Sequence, residues 1–285
     1  HSHYTVCMGD ARKIQQVLKG QETSDGAGVK LRRYIGTRDL MAHDPFLMLD
    51  AFFSDDPDSY LAGFPNHPHR GFETVTYLIQ GKMEHNDSRG NKGLLETGGA
   101  QFMRAGSGII HSEMPRQENG LMWGYQLWVN LPAALKMTEP HYQDMQAHEI
   151  PVVETESYTA KVLSGSLGGV QGGARNFYPI DYFDVQFKPG QSAEIPVAAD
   201  RSAFVIVVAG SGEISGQKIS RGDLPILGSG DVIQFKADEE LRVIIVAGKP
   251  IKEPVARYGP FVMNTPQEIE QAFVDYQAGK FSRAS

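Results

Sequence analysis

Thr74-Val-Thr-Tyr-Leu-Ile79, closed by Gly81, and Phe204-Val-Ile-Val-Val208, closed by Gly210, are two apolar runs whose closing glycines stand 129 positions apart. Each is rich in β-branched and aromatic residues and stops at a turn-favouring residue, which is how a strand reads. Leu127-Trp-Val129, Tyr182-Phe-Asp-Val-Gln-Phe187 before Pro189-Gly190, and Val243-Ile-Ile-Val246 before Gly248 repeat the pattern. With 31 glycines and 16 prolines scattered between such runs, the chain reads as an all-β protein of sandwich or barrel type. Gly230-Asp-Val-Ile-Gln-Phe235 falls close to the repeat position of Gly99-Ala-Gln-Phe-Met103, so the halves read as diverged copies. Two β-domains are therefore expected, over residues 8–140 and 141–285.

One helix is expected near the end of the chain. Thr265 offers an N-cap, Pro266 a first helical residue and Glu268 an acidic first turn. Ile269, Phe273 and Tyr276 recur at helical spacing, and Gly279 closes the segment. A shorter helix is expected after Leu135. Gly165-Ser-Leu-Gly-Gly169 and Gly172-Gly173 match neither phosphate-binding fingerprint and read as loop.

Composition narrows the function classes. The 285 residues suffice for two cores, and 21% charged and 41% hydrophobic residues are ordinary for a globular protein. A formal net charge of −7 disfavours direct nucleic-acid and membrane-surface binding, although Lys30, Arg32 and Arg33 form a local basic strip. Cys7 is the only cysteine, so an intrachain disulfide is excluded. No apolar run is long enough for a membrane span, and His1-Ser-His3-Tyr-Thr-Val-Cys7 lacks the regions of a signal peptide. His1 and His3 are given no chemical role.

The chemistry lies in the histidines. All nine stand at or before His148, and the 129-residue shift puts Pro196, Ala198 and Ser202 at the positions of His67, His69 and Glu73. Residues i and i+2 of a strand share a face, so His67-Pro68-His69 projects two imidazoles to one side, and His111-Ser112-Glu113 an imidazole and a carboxylate. Two such strands side by side converge their ligands. Imidazole with carboxylate suits iron, manganese, nickel or copper better than magnesium or calcium, and leaves positions open for water, substrate or O₂. Glu73 shares the parity of His67 and His69, so it competes with Glu113 for the oxygen ligand. His85, His141 and His148 stand alone and read as surface or core residues.

At these residues the sequence resembles the pirin family of the cupin superfamily, whose members include quercetin 2,3-dioxygenase-like bicupins. Gly63-Phe-Pro-Asn-His67-Pro-His69-Arg-Gly-Phe-Glu73-Thr74 and Gly106-Ser-Gly-Ile-Ile-His111-Ser-Glu113-Met-Pro115 are similar to its two cupin motifs. The likeness extends through Asp44-Pro-Phe-Leu-Met-Leu-Asp50, Gln126-Leu-Trp-Val-Asn130 and Gly259-Pro-Phe-Val-Met-Asn-Thr265, over about residues 28–280.

The resemblance implies a bicupin of two β-sandwich barrels packed face to face, of which only the N-terminal one carries metal. It implies one Fe(II) per chain, with Mn, Ni, Co or Cu as alternatives, held by His67, His69, His111 and Glu113. It moves Glu73 to a supporting position behind the ligands and adds Asp50, Phe64 and Gln126 as pocket residues. Two functions follow. One is oxygenation, in which a planar flavonol such as quercetin reacts with O₂, Glu113 serving as ligand and base. The other is an iron-dependent, redox-sensing interaction module acting on a transcriptional, metabolic or signalling protein through the Lys30–Arg33 strip, where a family arginine is replaced by Lys30. The expected protein is a monomer, cytoplasmic, and nuclear as well in a eukaryote.

Overall fold

The structure, a computed structural model, describes residues 9–117 and 119–281; His1, His3 and Cys7 lie outside them. The all-β reading holds, and the described chain forms two compact β units. No helix among the described residues is long and apolar enough to cross a membrane.

The first unit comprises Gly20–Ile150, Gly173–Tyr178 and the chain from Ile251 onward. Its larger sheet has seven antiparallel strands in the order His141–Met145, Ala100–Arg104, Phe72–Gln80, Met122–Asn130, Phe46–Ser54, Val29–Ile35 and Gln21–Asp25. Its smaller sheet runs Phe64–His69, Ile109–Pro115, Met83–Asp87 and Lys92–Leu95. Leu31, Phe52, Leu78, Met83, Leu95 and Met122 form one buried cluster. Phe72 and Trp128 lead a second, with Leu47, Met48 and Val262. Burial of this kind supplies about 25 cal/mol per Å² of apolar surface and dominates folding.

The second unit comprises the chain up to Lys19, Pro151–Gly172 and Pro179–Pro250. Its nine-stranded antiparallel sheet is built on Ser202–Ile214 and Val232–Gly248. Register slips at Val207/Ala209 and Gly210/Gly212 bend the first of these. A Cβ on Gly210 would collide with the Glu240 carbonyl, so this corner needs glycine. The interior is apolar, with Phe183, Val185, Val205, Ile233, Phe235 and Ile245 in one continuous cluster.

The division differs from a single boundary at residue 140. Ile14–Leu18 pairs with the Leu224–Leu227 edge of the second unit, and the terminal helix, expected in the second domain, belongs to the first. That helix spans Pro266–Gln277 with Thr265 as N-cap, its Oγ1 accepting the Glu268 N–H at 3.2 Å. It packs Ile269 and Ala272 against Phe261, Met263 and Phe281. The short helix contains Leu135 rather than following it, at Ala133–Lys136. In the glycine-rich segment, Ser166–Leu167 pairs with Val170–Gln171 in a small hairpin.

Three segments of the first unit are tied by one buried ammonium. Lys136 Nζ donates to the Gly71 carbonyl at 2.9 Å, Asn130 Oδ1 at 2.7 Å and the Val262 carbonyl at 2.9 Å. Replacing it with methionine removes a donor from two buried carbonyls and from Asn130 Oδ1, which keeps only the Leu131 N–H. Lys136→Met is expected to cost roughly 3 kcal/mol, read as a lower urea midpoint; an unchanged midpoint would deny the tie its role.

Candidate metal centre

The centre is set by one strand pairing. In the antiparallel ladder of Phe64–His69 with Ile109–Pro115, His67 stands opposite His111 and Ile109 opposite His69. A bulge between His111 and Glu113 brings Glu113 opposite Phe64 instead of Pro65. Pro65 has no N–H to give a ladder, so the irregularity falls where regular pairing is least available. The three imidazoles converge, with ring centroids 4.7, 4.4 and 5.0 Å apart and candidate ligand atoms all within 4.8 Å of one another.

Hydrogen bonding aims the nitrogens. His67 Nδ1 lies 2.7 Å from the Pro65 carbonyl and His69 Nδ1 3.3 Å from the Pro260 carbonyl. Both rings are therefore assigned the Nδ1–H tautomer, with Nε2 free as a ligand. His111 is 1% exposed, and neither of its ring nitrogens has a hydrogen-bond partner. Orphaned buried polar atoms are costly, and a metal on one of them removes that cost.

Burial, reinforced by His67, lowers the pKa of His69 to about 3. It also holds His111 well below the ordinary imidazole range, with His67, His69 and His85 adding to the effect. Both rings are thus neutral, the form that binds metal. Burial pushes Glu113 upward, opposed by His67, Gln126 and His85. Gln126 Nε2 donates to both Glu113 oxygens at 3.1 Å, and Glu113 Oε1 is 3.6 Å from His111 Nε2. The donor set of three imidazoles and an adjacent carboxylate fits a transition metal and does not suit calcium or magnesium.

A cavity of about 700 Å³ opens over His67, His69 and Glu113. Phe64, Asp50 and Gln126 line it, whereas His111 lies buried behind the rim. Glu73 is not on its lining. Its carboxylate accepts Arg104 Nε at 2.7 Å and the Tyr178 N–H at 2.8 Å. The parity that made Glu73 a rival fails because the strand ends at His69 and a new one starts at Phe72. A Cβ on Gly71, between them at φ +96°, would collide with the Val262 carbonyl.

Other residues at the site were not legible beforehand. Trp128 and Arg257 line the cavity, and so does Arg33, whose Nε and Nη2 grip the two Asp50 oxygens at 2.7 and 2.9 Å. Arg33 thus leaves the expected basic strip: Lys30 is exposed and Arg32 pairs with Glu22 at 3.1 Å. His85, taken alone as a core or surface histidine, is 2% exposed and stands directly across from Glu113. It contacts Gln101 and lies 3.3 Å from Asp144.

For metal-free protein, NMR titration is expected to show His69 and His111 neutral at pH 5, where an ordinary imidazole of pKa about 6.5 is mostly protonated. Their folded pKa values lie below the unfolded one, so the unfolded chain takes up protons first. These two rings therefore withdraw stability as pH falls from about 6.5 toward 3 and are silent above that window. His67→Ala and His111→Ala are expected to lose bound metal by elemental analysis with circular dichroism unchanged; full metal retention in both would remove the triad from the site.

Known proteins resemble this chain along most of its length. The family model Pirin matches residues 28–129, and Pirin C-terminal cupin domain matches 182–282. A pirin-like protein of Caulobacter vibrioides is 47% identical over 95% of this chain and 99% of its own. Human pirin is 39% identical, covering 97% of both chains. A crystal structure of quercetin 2,3-dioxygenase from Acinetobacter baumannii superposes with a TM-score of 0.87 at 32% identity, over 95% of this chain and 98% of that one. With two cupin domains and motifs matched along most of its length, this chain belongs to the pirin family.

Proposed function

We propose that this chain is a metal-dependent dioxygenase that opens a flavonol such as quercetin with O₂, releasing carbon monoxide and a depside. The observation that carries the reading is a histidine triad beside a buried carboxylate, with His67, His69 and Glu113 lining a cavity walled by aromatic residues. The likeness to a quercetin 2,3-dioxygenase supports it.

His67 and His69 through Nε2, with His111 and Glu113, would hold one Fe(II), or Mn, Ni, Co or Cu in its place. When bound, such an ion supplies Lewis acidity toward the flavonol 3-hydroxyl and 4-carbonyl and a place for O₂. Glu113 accepts the 3-hydroxyl proton. Before a metal binds, burial favours the protonated form of Glu113, the direction a proton acceptor needs. Gln126 orients that carboxylate by donating to both oxygens, and its Nε2 lies 3.3 Å from Thr76 Oγ1. Phe52, Phe64 and Trp128 offer apolar walls to a planar ring and keep water from the reacting end.

The iron-sensing interaction module has less to act through. Arg33 is held by Asp50 within the cavity wall, and Arg32 is paired, so the Lys30–Arg33 strip is not a continuous cationic face.

The test is anaerobic reconstitution with Fe(II), Mn, Ni, Co and Cu separately, followed by air and assay of flavonol loss and carbon monoxide. Turnover with at least one metal is expected, and Glu113→Gln should lower kcat by about 100-fold or more. Absence of turnover with every metal would overturn the reading.

A further inference from the structure

The cavity wall holds two arginines in different states. Arg33 is saturated: it grips Asp50 through two nitrogens and reaches Asp25 at 3.2 Å. Arg257 is not. It sits on the short strand Ala256–Tyr258, and Nη1 donates to the Leu47 carbonyl at 2.8 Å. Its guanidinium lies over the Trp128 indole at 5.2 Å. Among the described residues no carboxylate pairs with it, and Nη1 is its only nitrogen with a hydrogen-bond partner. Burial and then the Arg33 charge lower its pKa, opposed by Asp50. A half-buried, immobilised guanidinium facing a cavity, with donors to spare, carries a desolvation cost that an anion would offset.

Its position limits what that anion belongs to. Trp128 also touches His69, with ring centroids 5.4 Å apart, so a single indole separates the triad from the guanidinium. A planar ligand with two chelating oxygens at the histidines extends along this indole toward Arg257. Resting on the oxygenase reading, which it makes more specific, we propose that Arg257 sets substrate specificity and that the substrate is an aromatic acid. Its carboxylate lies at the end remote from the chelating oxygens and receives the free guanidinium donors. A bare flavonol fills the cavity but leaves this donor unused.

The test compares affinities for 3-hydroxyflavone and its 4′-carboxylate, by calorimetry on the protein as purified with metal content matched. The wild type is expected to bind the acid about tenfold tighter. In Arg257→Gln the ratio of the two affinities should fall below about threefold, and Arg257→Lys, which keeps charge without the planar fork, should fall between. If Arg257→Gln does not fold, salt decides: the wild-type ratio should drop at least about threefold between low salt and about 0.5 M. Equal affinity in the wild type, binding of neither compound, or a ratio that survives both substitution and salt overturns the proposal. Intact preference without flavonol turnover would sink the oxygenase reading alone; turnover without preference would sink this one alone.

Discussion

One strand register governs the candidate centre. Pairing His67 with His111 across the ladder puts two imidazoles within 4.4 Å of each other, and strand parity adds His69 on the same side. A slip of one residue would turn the histidines to the opposite face and dissolve the cluster. The bulge is equally necessary, because it brings Glu113 across from Phe64, a residue of the cavity wall. The structure has to protect this register, and it does so by burying the alternate residues. Ile109 stands in the apolar cluster with Met103 and Ala105, so slippage would expose it.

The same register makes the site electrostatically costly when empty. Rings this close cannot all carry charge, and burial makes even one charge expensive for His69 and His111. Neutral, partnerless nitrogens on His111 are a cost that folding alone does not recover. The second unit avoids it. Pro196, Ala198 and Ser202 stand where the repeat would put ligands, and its core is apolar from Val153 to Ala247. One β architecture thus carries two solutions to filling its interior: hydrocarbon in one unit, and an imidazole cluster in the other.

Much of this was legible in the sequence, and the failures have definite causes. The β class, the helix capped by Thr265 and the His-x-His pair all rest on local periodicity, which a sequence displays directly. Glu73 misled because parity counting assumes an unbroken strand, whereas Arg70-Gly71 turns the chain before Phe72. Arg33 looked like surface because its partner, Asp50, is 17 residues away on the adjacent strand. The terminal helix was assigned to the second half by chain order, whereas its contacts lie within the first unit. Its contacts with Phe261, Met263 and Phe281, and the Asp275–Arg70 pair at 2.8 Å, are long-range or local to a segment that returns to the first unit.

That returning segment explains why the first unit needs residues beyond Ile251. Pro260 supplies the carbonyl that orients His69, and Val262 closes over Gly71 at the end of the histidine strand. Asp275 neutralises Arg70, the residue after His69, whose guanidinium also stacks on Phe281. Arg257, from the same stretch, completes the wall beside Trp128. The ligand strand is thus anchored at its carboxyl end by a segment some 190 residues later, as the His69–Pro260 contact records. The orientation of the His69 ring and the Arg257 charge on the cavity wall are consequently set by one piece of chain. A change there that shifts the backbone at Pro260 must alter both metal-ligand geometry and ligand preference, whereas a change confined to the Arg257 side chain alters preference alone.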